Sequence, residues 1–154
     1  MKDRTMELYT DDIEPAYVHS SLRDTFKKLG RKLNRYLARE FGITFDYRDL
    51  EIGRESLPYI VDFRGRRIGK VLGLYTTNGR KKIDIDYNLD YGEVMRTLSH
   101  ELVHYAQDKL GGIWKKIKRY GRMARHYIER DAETARKAIF ESDGSGVKNA
   151  LAGA

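Results

Sequence analysis

Cysteine is absent from the 154 residues. That excludes disulfides and thiolate metal ligands, so any metal must be held by His, Asp or Glu. No apolar run approaches the roughly 20 residues that span a bilayer, so no membrane partner is expected. The opening stretch, MKDRTMELYTDD, is too polar for a signal peptide, and a cytoplasmic location is the expectation. Internal repeats, inner linkers and nucleic-acid-binding motifs are also missing. What remains suits one domain with one core: 40% hydrophobic and 34% charged residues in a chain of this length. Residues 1–141 are read as a single compact domain. The Gly-rich stretch 142–154, SDGSGVKNALAGA, is read as a flexible tail. Such a tail could reach a cleft or be cleaved by the chain itself.

The net charge is +7, with 30 Lys and Arg against 23 Asp and Glu. The excess clusters in RDTFKKLGRKLNRYLARE and WKKIKRYGRMAR. Solvated helix faces explain such clusters, and contact with nucleic acid is the other partner they allow.

Apolar residues Leu22, Phe26, Leu29, Leu33, Tyr36, Leu37 and Phe41 recur at steps of three and four, which predicts a helix stopped by Gly42. Gly30 should weaken it. ITFDYRDLEI, PYIVDFRGRR and IGKVLGLYTT then read as strands. Asn78-Gly79 signals a tight hairpin returning as KIDIDY. The expectation is an antiparallel sheet of three or four strands. Asp90 with Glu93 makes a capping box for a helix from about Tyr91 to Lys109. IWKKIKRYG and RMARHYIERDAETARKAIFE predict two more helices. The fold class is α+β.

The central helix carries TLSHELVHYAQ, with His100 and His104 four apart and Glu101 after the first. On a helix, positions i and i+4 share a face, so both imidazoles can aim at one point. The H-E-x-x-H pattern suits one zinc ion held by two histidines, with the glutamate beside it as general base rather than ligand. A third protein ligand is then required. His126, Glu129, Asp131 and Glu133 are the downstream candidates. Glu129 is the expected ligand. Glu133, one turn on, is expected behind it, accepting the other N–H of a ligating histidine. Pairing of both carboxylates with neighbouring Arg and Lys is the plainer alternative.

SHELVHYAQ followed by IERDAETAR resembles the gluzincin metallopeptidases, above all the compact minigluzincins and the ImmA/IrrE-type peptidases. In those, HExxH is followed on a later helix by Glu-x-x-x-Asp/Glu/Asn. The resemblance implies a zincin-like fold, Glu129 as third zinc ligand and Glu133 behind it. A second resemblance, of NGRKKIDIDYNLDYGEVMRTLSHELVHYAQ, is to SprT-like proteases acting on DNA-bound proteins. Those use a third histidine, usually followed by glycine; His126 is followed by Tyr127. It is the alternative ligand. The expected reaction is hydrolysis of a protein or peptide, with Glu101 moving the proton. Tyr105, Tyr120, Tyr127, His126 and Arg136 are candidate oxyanion donors. Ile68–Tyr75 is the candidate edge strand for a substrate added as a strand. A non-catalytic zinc-containing binding module is the rival from another class.

Overall fold

The computed structural model describes residues 13–142 and 147–153. The first strand, β1 (Tyr17–Val18), leads through a 3-10 turn into helix α1 (Arg23–Phe41), which ends at Gly42. Phe26, Leu29, Leu33 and Leu37 are buried along one α1 face, as the periodicity predicts. Gly30 is buried too, and its carbonyl accepts the Tyr47 hydroxyl at 3.1 Å.

Strands β2 (Leu50–Glu55), β5 (Gly73–Thr76) and β6 (Lys81–Asp86) join β1 in a four-stranded sheet of order β1-β2-β6-β5. The all-antiparallel expectation is corrected here. β1–β2 and β2–β6 are parallel, and only β5–β6 is antiparallel. Between β2 and β6 the chain makes a detour through a separate antiparallel hairpin, β3 (Tyr59–Val61) and β4 (Arg67–Lys70), re-enters the sheet as β5 running opposite to β2, and turns at 77–80 so that β6 regains the direction of β2. The hairpin at Asn78-Gly79 forms with a longer turn than two residues, Gly79 taking φ 84°. The strand expected in ITFDYRDLEI starts only at Leu50. Asn34 of α1 explains this. Its amide donates to the Phe45 carbonyl at 2.8 Å and accepts the Phe45 N–H at 2.9 Å, so that backbone is satisfied without a strand partner.

Ile83 and Ile85 of β6 face the core. Asp84 and Asp86, on the opposite face, are buried as well. Asp86 accepts the N–H of Leu57 at 2.9 Å and of Asn88 at 3.1 Å, and pairs with Lys70 at 3.1 Å. It thereby pins the β3–β4 hairpin to the sheet.

Helix α2 (Tyr91–Lys109) has the bounds read from the sequence. Asp90 accepts the Glu93 N–H at 2.8 Å and Glu93 answers at 3.3 Å, completing the capping box. Helices α3 (Gly112–Tyr120) and α4 (Ala124–Glu141) follow. A further helix, α5 (Lys148–Ala152), corrects the reading of 142–154 as a flexible tail. Val147 and Leu151 are buried in the same hydrophobic cluster as α1, α2, the sheet and α4. Five residues cannot hold a helix alone. Burial of one leucine contributes about 1.5–3 kcal/mol, and packing on α2, α3 and α4 holds α5 in place. Residues 143–146 and 154 of that stretch lie outside the described residues.

Among the described residues no helix is long and apolar enough to cross a membrane.

Candidate metal centre

Helix α2 packs Leu98, Leu102 and Val103 into the core. That fixes its rotation and turns His100 and His104 towards α4, their ring centroids 4.7 Å apart and nearly perpendicular. Helix α4 comes close enough to answer because Ala132 and Ala135, both fully buried, face its neighbours. One Glu129 oxygen lies 3.0 Å from His100 Nε2, the other 3.0 Å from His104 Nε2. Glu133, one turn on, accepts from His100 Nδ1 at 2.9 Å.

The outer contacts decide which ring nitrogen carries the proton. Gln107 donates its amide N–H groups to the carbonyls of Ile128 (3.2 Å) and Ala150 (3.1 Å), so its Oε1 faces His104 Nδ1 at 2.8 Å. An amide oxygen only accepts, so Nδ1 is the protonated nitrogen of His104. His100 Nδ1 donates in the same way to Glu133, which Arg136 grips at 2.6 Å. In the neutral rings both Nε2 lone pairs then point at the Glu129 carboxylate. Acceptors facing acceptors are reconciled by a shared cation, and two imidazoles with a carboxylate suit zinc. Tetrahedral zinc with bonds of ~2.0–2.1 Å sets its ligand atoms about 3.3 Å apart, close to the separations seen here.

Without a cation the charges read differently. Burial works against protonating His100, but contacts with Glu129, Glu101 and Glu133 outweigh it and raise its pKa. Hydrogen bonds from His100 and His104 hold Glu129 well below the usual carboxylate range. Glu133 is pulled down to about 2, first by its hydrogen bond from Arg136.

Glu101 stands apart from this network. Its carboxylate lies with the imidazoles of His100 and His104 in a group whose ligand atoms are all within 4.8 Å of one another. Yet its Oε2 is buried with no hydrogen-bond partner. Burial raises its pKa against the pull of His104 and His100. A buried carboxylate oxygen without a hydrogen-bond partner, beside two imidazoles, is able to accept a proton. Strand β5 reaches it through Gly73, where a Cβ would lie 2.5 Å from Thr97 Cγ2 and 3.1 Å from Glu101 Cγ.

The other residues singled out from the sequence lie elsewhere. His126 is exposed and edge-on to Tyr127. Asp131 pairs with the buried Lys116 at 2.8 Å. Tyr105 is buried, stacked on Tyr47, with its hydroxyl donating to Asp49. Tyr127 stacks on Tyr120 with centroids 3.9 Å apart. Arg136 is committed to Glu133 and Glu141. None of these side chains hydrogen-bonds to His100, His104 or Glu129, and Arg136 reaches the cluster only through Glu133. Gln107 and Gly73 were not among the residues singled out. Gln107 was open to notice as the residue three after His104, on the same helix face; Gly73 has no local signal.

No family model, curated protein or solved structure matches the chain.

Proposed function

We propose that this chain is a zinc metallopeptidase of the gluzincin type, holding one zinc ion on His100, His104 and Glu129 and hydrolysing peptide bonds. The observation that carries the reading is the convergence of two Nε2 atoms on the Glu129 carboxylate, with the buried Oε2 of Glu101, which has no hydrogen-bond partner, beside them. Zinc, when bound, supplies a Lewis acid for a carbonyl oxygen and for water. Glu101 takes the proton of the attacking water and passes it to the leaving amine. Glu133 and Gln107 hold the imidazoles in the tautomer that leaves Nε2 free. Glu129 is half exposed, so the site opens to solvent and can admit substrate. The substrate is a protein or peptide in extended form. Strand β5 is the sheet edge that touches Glu101, and a peptide added to it as a strand would run past that carboxylate. The expected single edge strand Ile68–Tyr75 is instead divided between β4 (Arg67–Lys70) of the separate hairpin and β5 (Gly73–Thr76), and it is β5 that lies beside Glu101. We place the activity in the cytoplasm, on composition alone.

Metal analysis and proteolysis assays on wild type, Glu101→Gln and Glu129→Ala test this. Glu101→Gln should keep its zinc and lose hydrolysis; Glu129→Ala should lose the zinc. Full zinc occupancy in Glu129→Ala would overturn the ligand assignment.

One surface supports a second reading, a nucleic-acid contact. Lys27, Lys28, Lys32 and Arg35 line one groove on α1. Salt-dependent DNA binding that survives Glu101→Gln would favour a role on DNA-bound proteins or a non-catalytic binding module.

A further inference from the structure

We propose that helix α5 is a positioning element of the metal centre, acting on His104 through Gln107. The inference rests on the metal reading above and adds a second point of control to it. Gln107 is fully buried, and its three polar contacts leave its amide no freedom. One of the two carbonyls that orient it belongs to Ala150 of α5. Gln107 in turn fixes the Nδ1 proton of His104, which turns Nε2 towards Glu129. The chain of contacts therefore runs from α5 to the metal position through a single side chain.

The docking of α5 is built, not incidental. Leu151 is fully buried. At Gly112, the first residue of α3, a Cβ would lie 2.1 Å from the Leu151 carbonyl oxygen, so only glycine lets α5 approach this closely. Whatever removes or displaces α5 takes one orienting carbonyl from Gln107 and exposes the amide to water. The His104 ring then loses its fixed tautomer. The zinc grip of this enzyme is thereby made conditional on its C-terminal segment.

The test uses two variants of the full chain, Gln107→Leu and Gly112→Ala, and two truncated chains, one ending before Val147 and the same truncation combined with Gln107→Leu. Zinc affinity is read by chelator competition, folding by circular dichroism, and the His104 tautomer by nitrogen-15 NMR of the metal-free protein. Each single change should weaken zinc binding about tenfold to a hundredfold. Each should also move His104 from the Nδ1–H form to a mixture. The combination should bind zinc no worse than Gln107→Leu alone, because both changes act on one path. Gly112→Ala keeps the whole chain and decides the matter if the truncated chain does not fold. Additive losses, or a folded variant lacking a docked α5 with wild-type affinity and an unchanged tautomer, would overturn the proposal. If the wild type binds no zinc, the metal reading fails, and the tautomer of the metal-free protein still decides the role of α5.

Discussion

The two histidines of the cluster are held in contrasting ways. His100 is oriented from the solvent side by charge: Glu133, gripped by Arg136, which also holds Glu141 at 2.9 Å. His104 is oriented from the interior by a neutral amide tied to two backbone carbonyls. Charged partners suit the exposed side, where water shares the cost of any misalignment. In the interior an ion would pay a large desolvation cost, and an amide supplies direction without it. One geometry is thus set twice, once by electrostatics that pH and salt can touch and once by packing that they cannot.

Glu101 belongs to neither arm, so Glu101→Gln should leave both intact. Its zinc content should match the wild type, while hydrolysis of an unfolded protein substrate falls about 10²–10⁴-fold, the usual worth of a general base. Retained hydrolysis in that variant would remove Glu101 from the chemistry. Next in size is the contrast between the arms. Gln107→Leu should weaken zinc binding by about tenfold to a hundredfold, and Glu133→Gln by less, because a glutamine oxygen can still accept from His100. Equal losses, measured by chelator competition, would erase the distinction between the arms.

Arg136→Met should cost about 1–3 kcal/mol in urea unfolding, since two carboxylates lose the donor that organises them. The same change should leave the His104 tautomer untouched. The smallest effect is the pH response of the charged arm. Glu133 is depressed from an ordinary 4.5 to about 2, mainly by Arg136, with His100 adding to it. Its stabilisation is fully present above 4.5 and is lost as pH falls through about 2. Metal-free Glu133→Gln should therefore show a flatter decline of stability across that interval than the wild type in urea titrations. An identical decline would mean that the charged arm contributes nothing there.

The parts written in local pattern were legible in the sequence. The α+β class, the exact bounds of α2 and its capping box follow from spacing and side-chain chemistry over a few residues. The same holds for the pairing of His100 with His104 on α2 and of Glu129 with Glu133 on α4, since i and i+4 spacing is a property of one helix; that the two pairs belong together rested on the resemblance. What depends on distant partners was not legible. The parallel pairing of β2 with β6 is set by how the chain detours between them. The clasp of Asp86 on Leu57 and Lys70 has no signal in the residues around it. Leu151 sits in a weak, Gly-rich context that reads as a tail, and only its burial reveals a helix. Tyr105 looks catalytic next to His104, but its hydroxyl finds Asp49, 56 residues away in sequence.

The central claim is that His100 and His104 both offer Nε2 to one ion shared with Glu129. A zinc titration followed by nitrogen-15 NMR of the histidine rings tests it most directly. One equivalent of zinc should shift Nε2 of His100 and His104 to the metal-bound range, leave both Nδ1 atoms protonated, and leave His19 and His126 unchanged. A response from His126 in place of either ring, coordination through Nδ1, or no saturable response would contradict it.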